Sequence, residues 1–446
     1  MRSKSLRHQS FRGSMTACLL AGVLMGHPYL SEANAAGPSD GASSQKAVVQ
    51  TTVAANSPEA EALERTIRAL QWLTPPESQF LSLSQALDEA KANNLDIKVS
   101  QERLNETRAR QASVESRRVL FFFKFINANY LEGSALSDVL AEQAHVEAVT
   151  EEVLRQTADA YFAYSRAVVA EFAAFESLRQ SLNQLDLTQS RFQQGEGTSI
   201  DVFDTRAEVF KRYQSLLEAR GQRDSLALML AENIRPGGTS KPEFWPTGLS
   251  VEAGVLAQPD LATQVNARLP EGYGALLELA RVNRADVQEL LYRLTSMENL
   301  IKASAYEFDK TQIKILEASR QQLVLRKQKV DRQTETMLHK TLNQLALAAQ
   351  KIDIARAQRQ QADEALWQVK LSFNKGFSSN RDVLQAQIVQ SQAAAALANA
   401  QLERQALEVQ LLADTGQLFQ KAQLEPAPED QAYRVKKRRL RLYHPN

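Results

Sequence analysis

Arg191-Phe192-Gln193-Gln194-Gly195-Glu196-Gly197-Thr198-Ser199-Ile200-Asp201-Val202-Phe203 and Ser372-Phe373-Asn374-Lys375-Gly376-Phe377-Ser378-Ser379-Asn380-Arg381-Asp382-Val383-Leu384 are two versions of one sequence. In each, an aromatic residue stands three positions before a glycine, and an Asp-Val-apolar triplet begins six positions after it. A glycine followed by Ser, Thr or Asn reads as a helix stop beside a new N-cap. Long runs without proline flank both copies. Each copy therefore predicts the sharp turn of an αα-hairpin, with Gly195, Gly197 and Gly376 as turn residues and arms too long for a globular packing unit.

A second pair of segments strengthens the duplication. Leu277, Ala280, Asn283, Asp286 and Val287 echo Leu87, Ala90, Asn93, Asp96 and Ile97 at an offset of 190, while the tips recur at an offset of 181. Two anchors matched in the same order point to an internal repeat.

Reading outward, the N-terminus carries Arg2, Lys4, Arg7 and Arg12, an apolar run from Met15 to Met25, and Ala33-Asn34-Ala35. This predicts a secretory signal peptide over 1–35. Cys18, the single cysteine, lies near the start of that run. A lipid-bearing cysteine should follow such a run, so no lipoprotein anchor is expected. The exported chain then has no thiol chemistry. The formal charge of +1 falls to about −2 when four basic residues and Glu32 are removed, which gives no case for nucleic-acid binding. Beyond the leader, no run of about 18 apolar residues predicts a transmembrane helix.

The expected organisation is a leader with a short helix over 36–81, a first helical-hairpin repeat over 82–233 and a Pro-rich linker over 234–274. A second repeat follows over 275–415, then a basic tail over 416–446. Ser82 or Ser84 can cap the first helix, which runs to about Arg118. Val119 to Tyr130, Val-Leu-Phe-Phe-Phe-Lys-Phe-Ile-Asn-Ala-Asn-Tyr, then reads as a strand with Phe121, Phe123 and Phe125 on one side. A buried helical turn is the competing reading. Tyr306 to Ile315 is a weaker strand candidate. A long helix is expected from near Ser137 to Gln194, with Leu178, Leu182, Leu185 and Phe192 at a and d type spacing. In the second repeat Leu338, Leu342, Leu345, Ala349 and Ile352, then Ala362, Leu366, Val369 and Phe373, step by three and four. That spacing predicts left-handed coiled-coil packing. The return arm is rich in alanine from Ala393 to Ala400, which allows close helix approach. The tail is either a solvated end or a contact for anionic lipid or wall polymer.

Catalytic chemistry finds no support. His145 and His339 stand alone in helical segments, and acids alternate with bases along solvated faces, as in Glu106 and Arg110. No phosphate loop, paired carboxylates or nucleophile constellation is present, so neither an enzyme nor a cofactor is expected.

At the Gly195/Asp201 and Gly376/Asp382 motifs the chain resembles the outer membrane efflux protein family, the TolC-like exit ducts of type I secretion and multidrug pumps. The resemblance spans 82–233 and 275–415. It implies a mainly α fold in which duplicated long αα-hairpins form an α-helical tunnel, closed as a homotrimer. The implied partners are a periplasmic adaptor protein, an inner-membrane pump and outer-membrane lipid. By similarity Asp201 and Asp382 stand at the tunnel entrance, joined in the first repeat by Asp204, whose counterpart in the second is Gln385. Family members insert a pair of membrane strands in each repeat, of about 9 to 11 residues each. This chain offers few or degenerate ones. A non-conducting helical scaffold in the periplasm is the alternative reading.

Overall fold

The computed structural model describes residues 58–70, 80–118, 125–236, 245–246, 272–304 and 310–418. The chain divides into a unit of residues 1–54, outside the described residues, and a unit of residues 55–446. The leader with Cys18 and the basic tail from Arg434 also lie outside the described residues.

The second unit is built from α1 (Pro58–Arg68), β1 (Phe80–Leu81), α2 (Leu83–Asn93), α3 (Leu95–Arg118), α4 (Phe125–Gln193) and α5 (Ser199–Ile234). It continues with β2 (Trp245–Pro246), α6 (Tyr273–Asn283), α7 (Ala285–Ser304), α8 (Lys310–Asn374) and α9 (Asn380–Asp414). The fold is thus mainly α, as the resemblance implied. Among the described residues the only sheet is one parallel pair, Phe80 with Trp245 and Leu81 with Pro246.

The duplication is visible element by element. Helices α2 and α6 occupy the same eleven positions at offset 190, and each is followed by a one-residue break, at Asn94 and Arg284. At Asn94 the side chain accepts from the amide of Asp96 at 2.8 Å, which starts α3 afresh. Ser82, rather than Ser84, caps α2 through a reciprocal box with Gln85. The nine-residue difference between the two offsets comes from a helix four residues shorter (20 against 24), a connection one shorter, and a long helix four shorter (65 against 69).

The long helices set the scale. At about 1.5 Å per residue, α4 and α8 are each about 100 Å long. Helix α4 is the spine: α3, α5, α7 and α9 all pack on it, so both repeats meet there. Near its N-terminal end it approaches α7 through small residues. Ser134 and Ser296 share a buried hydrogen bond of 2.9 Å, and a Cβ on Gly133 would stand 3.0 Å from Asn299 Nδ2. The main core lies where α2, α4, α5 and α9 converge, around Leu87, Leu154, Phe162, Leu230 and Leu412. The Tyr161 hydroxyl donates to the Leu81 carbonyl at 3.1 Å and ties α4 to β1.

Three expectations are corrected here. Phe125 opens α4, so Phe125 to Tyr130 is helix and not strand; Phe121 and Phe123 lie outside the described residues. In the second repeat α8 begins at Lys310, so the candidate strand from Tyr306 to Ile315 is helical over its latter part. The helices leave only residues 119–124 and 305–309 between them, fewer than the roughly 9 to 11 that one membrane strand takes. The apolar stripe on α8 also shifts. Its buried positions are Thr334, Leu338, Thr341, Ala348, Ile352, Ala355, Ala362 and Leu366, so Thr341 and Ala348 replace Leu342 and Ala349. The spacing remains a heptad one. Ile352 and Ala355 meet Leu397 and Ala400 of α9 in a cluster of small contacts.

Candidate functional site at the hairpin tips

Both tips are built from the same two devices. Helix α4 ends with Gly195 at φ 81° and helix α8 with Gly376 at φ 80°. In the first, the Glu196 amide donates to the Arg191 carbonyl at 2.9 Å and the Gly195 amide to Phe192 at 3.1 Å. In the second, Phe377 donates to Ser372 and Gly376 to Phe373, both at 2.9 Å. This is the Schellman stop, in which a left-handed residue satisfies the last carbonyls. Gly197 behaves differently. It has no positive φ, and an added Cβ would meet only ordinary contacts at 3.4 Å and beyond; its counterpart in the second tip is Ser378.

The next helix starts on a reciprocal cap. The Thr198 hydroxyl accepts from the Asp201 amide at 3.2 Å, while Asp201 Oδ2 accepts from the Thr198 amide at 3.1 Å and its hydroxyl at 2.7 Å. Ser379 and Asp382 repeat this at 3.2, 2.8 and 2.7 Å. The capping box satisfies amides that a helix start leaves unpaired, and the carboxylate faces the positive helix end. Hydrogen bonds from Thr198 and Ser379 side chains, then from their amides, hold both carboxyls below the ordinary Asp range. Both acids therefore stay ionised near neutral pH, and any stabilisation they give is lost as pH falls through their depressed values. Asp204, one turn on, is exposed and takes no part in the box.

The two tips stand side by side. The Arg191 guanidinium lies 5.6 Å from the centre of the Phe373 ring, a cation–π contact between the end of α4 and the end of α8. Around this link the tips expose large apolar groups: Phe377 is 84% exposed and Ile200 64%. Phe192, expected on the packed stripe with Leu178, Leu182 and Leu185, is also exposed, while Leu178 and Leu185 are buried.

One feature escaped sequence reasoning. Helix α1 docks on the tip-ward half of the first hairpin. Ile67 is fully buried in a cluster with Phe175, Leu178, Leu185, Val209 and Leu216. Arg68 pairs with Asp186 and Glu64 with Arg206, so α1 bridges α4 and α5. The second hairpin lacks these charged partners, since the positions matching Asp186 and Arg206 are Trp367 and Gln387. The amphipathic spacing of Ala60, Glu64 and Ile67 on one face was the available signal.

No group of metal-binding side chains occurs among the described residues. No helix among them is long and apolar enough to cross a membrane.

Comparison with known proteins agrees with this architecture. The family described as outer membrane efflux protein matches over residues 120–232, which hold α4, the first tip and most of α5. No curated protein matches the chain significantly. Among solved structures, the CmeC outer membrane channel of Campylobacter jejuni superposes with a TM-score of 0.63 at 14% identity, over 83% of this chain and 94% of that one. The outer-membrane channel OprN superposes at 0.62 and 14% identity, over 78% and 94%. The MtrE outer membrane channel of Neisseria gonorrhoeae, in its open state, superposes at 0.55 and 14% identity, over 77% and 91%. The chain is thus similar to the outer membrane efflux protein family over residues 120–232 and shares the fold of the solved outer-membrane channels, with only residues 119–124 between α3 and α4 and 305–309 between α7 and α8.

Proposed function

We propose that the protein is the exit duct of a tripartite efflux or type I secretion system. A homotrimer encloses a helical tunnel whose tips face a periplasmic adaptor and an inner-membrane pump. The observation that carries this reading is the pair of matched, capped tips held at the ends of helices about 100 Å long. Such arms are lever-like wall elements, not a globular packing unit. A single copy also leaves apolar side chains exposed along α8, among them Ile315, Leu325, Leu347, Ile354 and Trp367. Helix α8 packs chiefly on α6, α7 and α9, and its remaining side needs a partner surface. Coiled-coil packing of the α8 and α9 pair against neighbouring copies, closed by rotational symmetry, supplies one.

In that arrangement Asp201, Asp204 and Asp382 of each copy ring the entrance. Crowded carboxylates of one sign favour cations there and oppose close approach of the tips. The Arg191 contact with Phe373 holds the two hairpins of one copy together. Replacing the three acids with Asn is expected to raise conductance or drug leakage and to weaken block by multivalent cations. Planar-bilayer recordings and leakage assays at equal protein level check this; no change in either would remove the acids from the entrance. Sedimentation in mild detergent is expected to give a trimer, and a monomer at micromolar concentration would overturn the closed tunnel.

One observation favours a second reading. The connections at the end opposite the tips are too short for paired membrane strands, and unpaired strand edges do not cross lipid. A periplasmic scaffold built from a tunnel-type protomer would need no barrel. Fractionation separates the two. The duct is released from membranes only by detergent, whereas the scaffold appears in the soluble periplasmic fraction.

A further inference from the structure

A buried polar joint connects the two repeats away from the tips. Helix α9 ends at Asp414, where Thr341 of α8 donates to Asp414 Oδ2 at 2.6 Å. Arg284, at the break between α6 and α7, reaches the Asp414 carbonyl at 3.5 Å and holds Asp286 at 2.7 and 3.0 Å. From the first repeat, α4 presents Glu151 to this joint. Its Oε1 is buried and has no hydrogen-bond partner. The groups acting on Glu151 are Arg284, Asp286 and Asp414 of the second repeat and Glu147 of its own helix. On the α2–α3 side, Ala90 and Ile97 pack beside Val149 and Val153 of α4.

The charge count at this joint is one-sided. Arg284 is already engaged by Asp286, and Arg155 by Glu152 and Asp159. An ionised Glu151 would add a third carboxylate, next to Asp286 and Asp414, around one committed guanidinium. We propose that Glu151 is a proton-carrying catch. In its neutral form it lets the end of α9 seat against α4 and the α6–α7 break, and losing the proton loosens this joint between the repeats.

The physics gives the direction. Burial, opposed by Arg284, pushes the Glu151 carboxyl up to about 8, and burial likewise raises that of Asp414. The folded joint thus holds a proton that an unfolded chain has released above the ordinary Glu range. Stability contributed at this site falls as pH rises from that range to about 8, and is level beyond it. The moving part is the α9 end, where Asp414 meets the added charge.

The test uses the full assembled protein. Infrared difference spectra between about pH 6 and about pH 9 are expected to show loss of a protonated-carboxyl band that is missing from Glu151→Gln. Over the same range, hydrogen-exchange protection of residues 405–417, corrected for intrinsic rate, is expected to fall about tenfold or more in the unaltered protein. It should stay flat in Glu151→Gln, which imitates the protonated form. Absence of that band, unchanged protection in the unaltered protein, or an equal fall in Glu151→Gln would each overturn the catch.

Discussion

Replacing Glu171 with Ala is expected to destabilise the protein by about 3 kcal/mol, the lower part of the range for breaking one side of a buried ion pair. Glu171 lies on α4 and is only 1% exposed. Two cations of α5 hold it, Arg220 Nε on Oε1 at 2.9 Å and Arg223 Nη1 on Oε2 at 2.5 Å. Removing the acid takes Arg220's partner and one of the two anions of Arg223. Arg223 keeps a second anion, Asp224 at 2.7 Å, and both guanidiniums reach partly to solvent, which limits the loss. Arg220→Ala should have a smaller effect, because Glu171 retains Arg223. Replacing Glu171, Arg220 and Arg223 together with Leu, Leu and Met should recover most of the stability, since no buried charge is then left unpaired. Denaturant unfolding of the four proteins checks the order. An alanine at Glu171 that unfolds like the parent would show that the network carries no stability.

This network also marks the limit of what the sequence discloses. Its members are 49 and 52 residues apart, and nothing local in either helix announces the pairing. By contrast, the tips are legible because a positive-φ glycine and a capping box are local devices, each decided within about six residues. The helix from Phe125 reads wrongly for the opposite reason. Phe and Val runs fit a pleated strand when judged alone, but β-propensity is context-dependent. Here Gly133 and Ser134 let the start of α4 lie against Asn299 and Ser296 of α7, and that tertiary contact favours helix. The shifted stripe on α8 has a similar cause. Thr341 is buried because Asp414 needs its hydroxyl, a partner 73 residues away that outweighs the apolar claim of Leu342. Helix α1 is legible as a helix, but its seat on the first hairpin depends on Asp186 and Arg206, which only the fold brings together.

Substituting alanine at three glycines of similar backbone conformation should give very unequal results. Gly195, Gly376 and Gly416 have φ of 81°, 80° and 69°. At the first two an added Cβ meets nothing within 4 Å. Gly195→Ala and Gly376→Ala should therefore lose only about 1–2 kcal/mol, the ordinary penalty for an L side chain in the left-handed region. Gly416 also stops its helix through a Schellman turn, with Gln417 donating to Leu412 at 2.8 Å and itself to Ala413 at 3.0 Å. Its surroundings differ. A Cβ there would stand 2.7 Å from the Asn283 carbonyl carbon and 2.8 Å from the Arg284 nitrogen. Those atoms are backbone at the α6–α7 break, and no rotamer change can move them aside. Relief requires shifting the whole end of α9 away from the second repeat's first helices, which also disturbs Thr341, Asp414 and the buried Thr415. Gly416→Ala is accordingly expected to destabilise by about 4 kcal/mol or more, adding overpacking to backbone strain. The measurement is the thermal or denaturant midpoint of each alanine variant beside the parent. A Gly416 variant as mild as the two tip variants would mean that the end of α9 does not pack as closely on Asn283 as described.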